Sequence, residues 1–125
     1  MFKILIIDPN TPFRKSFIKS LSSQFPAAEL RDAGSAEEGL DQMATFAPHL
    51  IFMDFYLPDI NSLDLAKNIR ASHSEIIMAI FMPNDSPEYQ AAAHECGIAH
   101  LIPKDDWSGK DILALVDAVI SDAQI

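Results

Sequence analysis

Three charged side chains in this sequence each lie at or near the end of an apolar run. Asp8 follows Ile4–Ile7, Asp54 follows Leu50–Met53, and Lys104 comes shortly after Ala99–Ile102. Charges in such places are either paired with one another or functional. Carboxylate oxygens are ligands that hard cations prefer, and an ammonium group offers a point charge to an anion. These residues therefore form either a structural ion-pair cluster or a functional site at the ends of the strands.

The strands that must position these residues are short and mostly apolar. Continuous apolar runs of this length are typical of parallel strands that are covered on both faces. The second predicted strand has the weakest strand pattern of the five. The predicted strands are Phe2–Ile7, Glu29–Ala33, Leu50–Met53, Ile76–Phe81 and Ala99–Ile102.

A predicted helix follows each strand. Thr11-Pro12 opens the first helix, which ends near Pro26, and Ser35 with Glu38 forms a capping box for the second. The third covers Ser62–Ala71. The fourth helix is predicted to start at Ser86-Pro87-Glu88 and to end at Gly97. The fifth is predicted to be capped by Ser108 and Asp111, and its apolar residues recur at helical spacing: Ile112, Leu115, Val116, Val119 and Ile120.

Alternating strands and helices predict an α/β fold with a parallel sheet, because parallel strands need crossover helices. The site of such a sheet lies beyond the carboxyl ends of its strands. Asp8, Asp54, Met82 and Lys104 occupy those positions. With no internal linker, residues 1–125 are predicted to form one domain.

Composition excludes several classes of protein. The formal net charge of −9 disfavours direct contact with nucleic acid, which needs a basic face. No apolar run is long enough to span a membrane, and no secretory signal is recognisable, so we expect a cytoplasmic protein. Cys96 is expected to be a small buried residue. Arg14, Lys15 and Lys19 form either a solvated helix face or a docking patch for an acidic partner.

Three stretches of the sequence resemble the signature segments of bacterial response regulator receiver domains. They are Lys3–Asp8, Leu50–Pro58 and Ile102–Lys104, in the expected order and spacing, and the likeness extends over the whole chain. The resemblance implies a flavodoxin-like, doubly wound (βα)5 fold with three αβα layers and strand order 2-1-3-4-5. It also implies that Asp54 is the phosphoacceptor and that Lys104 contacts the phosphoryl group.

The same resemblance implies the partners and the cofactor. A histidine kinase or phosphotransfer protein would phosphorylate Asp54 in a two-component phosphorelay, and an output domain or partner would use the helix 4–strand 5–helix 5 face. Mg²⁺ would be held by Asp8, Asp54 and the backbone carbonyl of Tyr56. The chain is expected to be a signalling receiver rather than an enzyme.

Four positions depart from the family pattern. Pro9 stands in place of a second acid, which weakens the predicted Mg²⁺ site. Met82 replaces a Ser or Thr that hydrogen-bonds the phosphoryl group, and Pro83 replaces a small residue. Leu101 replaces the usual aromatic residue. The sequence therefore predicts an atypical receiver with weakened phosphorylation and switching.

Other interpretations remain beside this one. The chain could be a phosphorylation-independent interaction module on the same fold. A metal-dependent phosphatase has little support, because no general acid stands two residues after Asp8 or Asp54. Asp59 or Asp85 could replace the missing acid through water, and Trp107 could be a docking anchor or a packing residue. The histidines show no zinc spacing, and no Gly-rich phosphate loop or Gly-x-Ser-x-Gly elbow is present.

Overall fold

A computed structural model describes residues 1–83, 87–104 and 109–123. Strands and helices alternate along the chain, as predicted. The strands are β1 (Lys3–Ile7), β2 (Glu29–Ala33), β3 (Leu50–Asp54), β4 (Ile77–Met82) and β5 (His100–Pro103), and the helices are α1 (Thr11–Gln24), α2 (Ala36–Met43), α3 (Ser62–Ser72), α4 (Pro87–Glu95) and α5 (Gly109–Ala123).

The sheet has five parallel strands in the order β2-β1-β3-β4-β5. This confirms the predicted fold class and strand order. The apolar runs explain the arrangement, since β1 and β3 lie inside the sheet and the apolar side chains Ile4–Ile7 and Leu50–Met53 are completely buried. Residues after β1 and β3 therefore emerge side by side at the carboxyl edge.

Two apolar clusters form the core, one on each face of the sheet. One packs α2, α3 and α4 against the sheet through residues such as Ala36, Leu65 and Ala93. The other packs α1 and α5 through residues such as Phe17 and Val116. The layers are therefore helix, sheet and helix, as predicted.

Local signals set most helix ends, with small differences from expectation. Ser35 accepts a hydrogen bond from the Glu38 amide at 3.2 Å, but the Glu38 carboxylate accepts from the Gly34 amide rather than completing the capping box at Ser35. Gly97, after α4, has a φ of 86°, a conformation that favours glycine. The predicted caps Ser86 and Ser108 lie outside the described residues. No helix in the described ranges is long and apolar enough to cross a membrane.

Two strands lie one residue later than predicted. β4 runs to Met82 and β5 to Pro103, because the ladder between them pairs Ala79 with His100 and Met82 with Pro103. The pairing with a neighbouring strand, rather than the apolar run alone, fixes where each strand begins. Met82 therefore closes β4 at the carboxyl edge of the sheet.

Candidate functional site

The three charged residues meet at the carboxyl edge of the sheet. The Nζ atom of Lys104 donates to Asp54 Oδ1 at 2.8 Å and to Asp8 Oδ2 at 2.9 Å. Both carboxylates are buried, whereas the Lys104 side chain is 25% exposed. One ammonium group thus bridges two carboxylates, which leaves a net negative charge that can attract a further cation.

The remaining oxygen of each carboxylate bonds to the backbone. Asp8 Oδ1 accepts from the Asn10 amide at 2.8 Å, and Asp54 Oδ2 accepts from the Tyr56 amide at 3.1 Å. These short local bonds fix the orientation of each carboxylate at the end of its strand. The Asp54 carboxylate is therefore held on one side by Lys104 and on the other by the loop that follows β3.

Lys104 also lies against an aromatic ring. Its Nζ atom is 4.5 Å from the centroid of the Phe13 ring on α1, a cation–π distance. Burial acts to lower the pKa of Lys104, but its hydrogen bonds to Asp54 and Asp8 and the charges of both carboxylates outweigh that effect. The pKa of Lys104 therefore lies above its ordinary value, and the side chain is a cation at neutral pH.

Arg14 on α1 holds the neighbouring part of the edge together. Its Nε atom donates to Asp32 Oδ2 on β2, and a terminal nitrogen donates to the backbone carbonyl of Asp8, both at 2.6 Å. Arg14 is therefore a structural link between α1, β1 and β2, and only Lys15 and Lys19 of the predicted basic patch are exposed.

The side chains at the positions that depart from the family pattern are apolar, and two of them pack in the apolar core. Met82 is 3% exposed, and Leu101 packs partly buried against the same cluster beside α3 and α4. Neither a thioether nor an isobutyl group can donate a hydrogen bond. Pro9 is exposed beside Asp8 and offers neither a carboxylate nor an N–H group.

Asp59, which could replace the missing acid through water, binds the start of α2 in this structure. Its two carboxylate oxygens accept from the amides of Ala36 and Glu37 at 3.0 and 2.9 Å, at the start of α2. The hydrogen bonds from Glu37 and Ala36 lower the pKa of Asp59. Asp85 and Trp107 lie outside the described residues, so the predictions about them stay untested.

The structure adds two contacts that the sequence does not predict. The Phe13 ring lies against Lys104, and Asp59 binds the start of α2. Both contacts join residues distant in the sequence, so no local spacing signals them. Cys96 is buried and not in a disulfide, as predicted.

The side chains that could hold a metal at this edge of the sheet offer carboxylate oxygens. Within the ranges that the structure describes, no three His, Cys, Asp or Glu side chains come together as a metal cluster. Asp8 and Asp54 are the carboxylates that converge, and both bond Lys104. Such a donor set suits a hard ion that keeps several waters, as Mg²⁺ does, better than zinc.

Comparison with known proteins identifies the family. The model of the response regulator receiver domain matches residues 4–117, so the chain belongs to the family of response regulator receiver domains of two-component signalling. This is a family of signalling modules rather than of ordinary enzymes. The resemblance found in the three signature segments is thereby confirmed.

Individual relatives agree with this assignment. The response regulator MprA of Mycolicibacterium vanbaalenii is 25% identical over 118 residues, which cover 94% of this chain and 50% of that protein. A protein-glutamate methylesterase/protein-glutamine glutaminase of Idiomarina loihiensis is 28% identical over 103 residues, which cover 82% of this chain and 27% of that protein. The chain thus spans about half the length, or less, of these curated relatives.

Solved structures show the same fold. A two-component response regulator from Clostridium difficile superposes with a TM-score of 0.91 at 20% identity, covering 100% of both chains. A CheY-like receiver domain protein from Methanospirillum hungatei gives a TM-score of 0.87 at 22% identity, covering 98% of this chain and 95% of the other. At these identities the likeness describes the fold alone.

Proposed function

We propose that this chain accepts a phosphoryl group on Asp54 from a histidine kinase or a phosphotransfer protein. The observation that carries the proposal is the Lys104 ammonium group, hydrogen-bonded to both Asp54 and Asp8 at the carboxyl edge of the sheet. A buried pair contributes little net stability compared with apolar packing, which favours a functional reason for this arrangement.

The transfer needs an acceptor oxygen and a nearby cation. A carboxylate oxygen of Asp54 forms a new bond to phosphorus while the donor's P–N bond breaks, and the electron pair of that bond returns to the donor imidazole. Negative charge then accumulates on the phosphoryl oxygens. Lys104 is 2.8 Å from Asp54 Oδ1, where its charge can stabilise those oxygens.

The oxygen donors at this edge fit Mg²⁺, though with one acid fewer than the family pattern. Asp8, Asp54 and the Tyr56 carbonyl would hold the ion, which when bound neutralises charge on the phosphoryl oxygens. Pro9 supplies no ligand. We therefore propose that Mg²⁺ binding is weak and phosphorylation correspondingly slow.

Transmission of the phosphorylation signal is proposed to be atypical. Met82 and Leu101 are apolar and pack in one cluster, so neither position has a hydroxyl or ring polar group that could follow the phosphoryl group. We place the interaction with an output domain or partner on the α4–β5–α5 face, and we place the domain, residues 1–125, in the cytoplasm without direct contact to nucleic acid.

Incubation with acetyl phosphate and Mg²⁺, followed by intact mass measurement, tests the proposal. We expect a slowly forming phosphoryl adduct that is absent from Asp54→Ala and present in Asp64→Ala, a control acid exposed on α3. An adduct that persists in Asp54→Ala, or no adduct after prolonged incubation of the wild type, would show that Asp54 is not the acceptor.

A second candidate function is a protein-interaction module that works without phosphorylation. The apolar side chains at Met82 and Leu101 favour it, because they remove the usual means of coupling. Binding of a partner protein separates the two functions. A receiver changes its partner affinity on phosphorylation and loses that response in Asp54→Ala, whereas the module binds equally in all states.

A further inference from the structure

The loop between β3 and α3, residues 55–61, is attached to three different elements. At its start, the Phe55 amide donates to the Phe81 carbonyl on β4 at 3.0 Å. At its end, Asn61 Oδ1 accepts from the Leu63 amide at 2.9 Å and caps α3. In its middle, Asp59 binds the start of α2 through both carboxylate oxygens.

The hydrogen bonds between the Asp59 carboxylate and the start of α2 are of a strong kind. A carboxylate that accepts from two consecutive amides at a helix N-terminus forms charge-assisted bonds and also interacts favourably with the helix dipole. These bonds lower the pKa of Asp59 although Glu37 and Glu38 lie in the same first turn of α2. The attachment joins residues 22 and 23 positions apart in the sequence.

The same loop carries the amide that orients the acceptor. The Tyr56 amide donates to Asp54 Oδ2 at 3.1 Å, and Tyr56 is three residues before Asp59. Tyr56 is 64% exposed and its ring contacts the ring of the adjacent Phe55, so little of this side chain is buried to hold its backbone in place. Two anchors flank the Tyr56 amide along the chain: the Phe55 amide on the Phe81 carbonyl precedes it, and the Asp59 carboxylate on α2 follows it.

We infer that Asp59 is a positioning residue for the acceptor site: by fastening the β3–α3 loop to α2, it keeps the Tyr56 amide on the Asp54 carboxylate. The part of this inference that concerns phosphorylation rests on the proposed function of Asp54. The part that concerns the Tyr56 amide does not, and it can be measured without any phosphodonor.

The alternative is that Asp59 serves only as an additional cap for α2. Ser35 provides the matched control, because its Oγ atom caps the same helix by accepting from the Glu38 amide at 3.2 Å and, within the part of the chain that the structure describes, makes no hydrogen bond to the β3–α3 loop. Asp59→Ala and Ser35→Ala both weaken the start of α2. Only Asp59→Ala also releases the loop.

Amide hydrogen exchange by NMR separates the two roles. Relative to the core amide of Ile51, we expect the Tyr56 amide to exchange about fivefold to tenfold faster in Asp59→Ala and less than about twofold faster in Ser35→Ala. Asp59→Asn retains one acceptor oxygen and should restore part of the protection. Urea unfolding of each variant corrects for changes in global stability.

The rate of adduct formation with acetyl phosphate and Mg²⁺ provides the second measurement. It should fall by about the same factor as Tyr56 protection in Asp59→Ala and stay within about twofold of wild type in Ser35→Ala. Equal Tyr56 exchange in the two alanine variants would overturn the inference, as would faster exchange at Ala36 and Glu37 with Tyr56 unchanged. If wild type forms no adduct, the proposed function fails, while the exchange data still decide the role of Asp59.

Discussion

At the carboxyl edge of the sheet, the charged side chains at the ends of β1, β3 and β5 differ from the apolar ones at the end of β4 and within β5. Asp8, Asp54 and Lys104 form a charged cluster in which one ammonium group bridges two carboxylates. Met82 and Leu101, here called the apolar pair, both pack in the cluster on the α3 and α4 side of the sheet. Under the proposed function, the first group accepts the phosphoryl group, and the second stands where the family pattern has the residues that report it.

Under the proposed function, this difference separates acceptor chemistry from signal transmission within one fold. The charged cluster needs only three side chains at the ends of three strands, and the strand order brings them together. Transmission needs side chains that change their hydrogen bonding when charge appears on Asp54, and apolar groups cannot do so. The predictions that follow change one group while leaving the other intact.

Removal of the Lys104 charge should have the largest effect. Lys104→Met keeps much of the side chain's length against Phe13, and we expect adduct formation on Asp54 to slow by about 10-fold to 100-fold, the effect of losing one charge-assisted contact. The free energy of unfolding should fall by about 1–3 kcal/mol, less than for a fully buried pair because Lys104 is partly exposed.

Lys67→Met, at an exposed position on α3, is the control for this change. Intact mass over time gives the adduct rate, and urea unfolding gives the stability. An adduct rate in Lys104→Met within about twofold of wild type would mean that Lys104 only stabilises the loops.

Restoration of the missing acid at position 9 should have the next largest effect, on the affinity for Mg²⁺. Pro9→Asp adds a carboxylate beside Asp8, and we expect Mg²⁺ affinity to rise about tenfold, as for one added charge-assisted contact. Asn10→Asp adds the same charge one residue further on, where an acid can still cap α1. Calorimetric Mg²⁺ titration should show a gain for Pro9→Asp alone, and equal gains in both variants would indicate a general charge effect.

Restoration of a hydroxyl at the end of β4 should have a smaller effect on binding. Met82→Thr should raise the affinity for beryllofluoride, a phosphoryl mimic, by about fivefold, the effect of one neutral hydrogen bond. It should also lower the free energy of unfolding by about 1–3 kcal/mol, because a buried side chain shrinks and becomes polar.

Met78→Thr is matched to this change, since Met78 is buried in the same strand and the same cluster but away from the carboxyl edge. Urea unfolding should give similar losses of stability for the two variants, and fluorine NMR should give a gain in beryllofluoride affinity for Met82→Thr alone. A gain in both would mean that loosening of the core, rather than the hydroxyl, improves binding.

The pH dependence of stability should show the smallest effect. Because the pKa of Lys104 is raised by folding, its ion pairs stabilise the protein fully below the ordinary lysine pKa of 10.5, and this contribution is lost as pH rises through the folded pKa. The stability difference between wild type and Lys104→Met should therefore shrink above pH 10.5. A difference that stays constant in urea unfolding across that range would contradict the assignment.

The sequence predicts the fold and the members of the charged cluster well, for a physical reason. Apolar runs and helix caps are local signals, and the parallel topology brings the residues after β1 and β3 together whatever the details of packing. Asp8, Asp54 and Lys104 could thus be chosen as partners before their distances were known.

The contacts of Asp59, Phe13 and Arg14 are not local. Asp59 binds α2 and Phe13 lies under Lys104 only after the helices have packed, so no spacing in the sequence indicates them. From the sequence, Arg14 was a candidate member of a basic surface patch. In the structure it donates hydrogen bonds to Asp32 and to the backbone carbonyl of Asp8. Strand ends also depend on the neighbouring strand, which explains the one-residue differences in β4 and β5.

A beryllofluoride titration of the wild-type chain with Mg²⁺, followed by NMR, tests the separation of chemistry from transmission most directly. We expect saturable binding that Asp54→Ala abolishes, with large shifts at the amides of Asp8 and Tyr56 and small shifts at the methyl groups of Met82 and Leu101. Tight binding accompanied by large shifts at Met82 and Leu101 would contradict the account, because it would show that the apolar pair does report the state of Asp54.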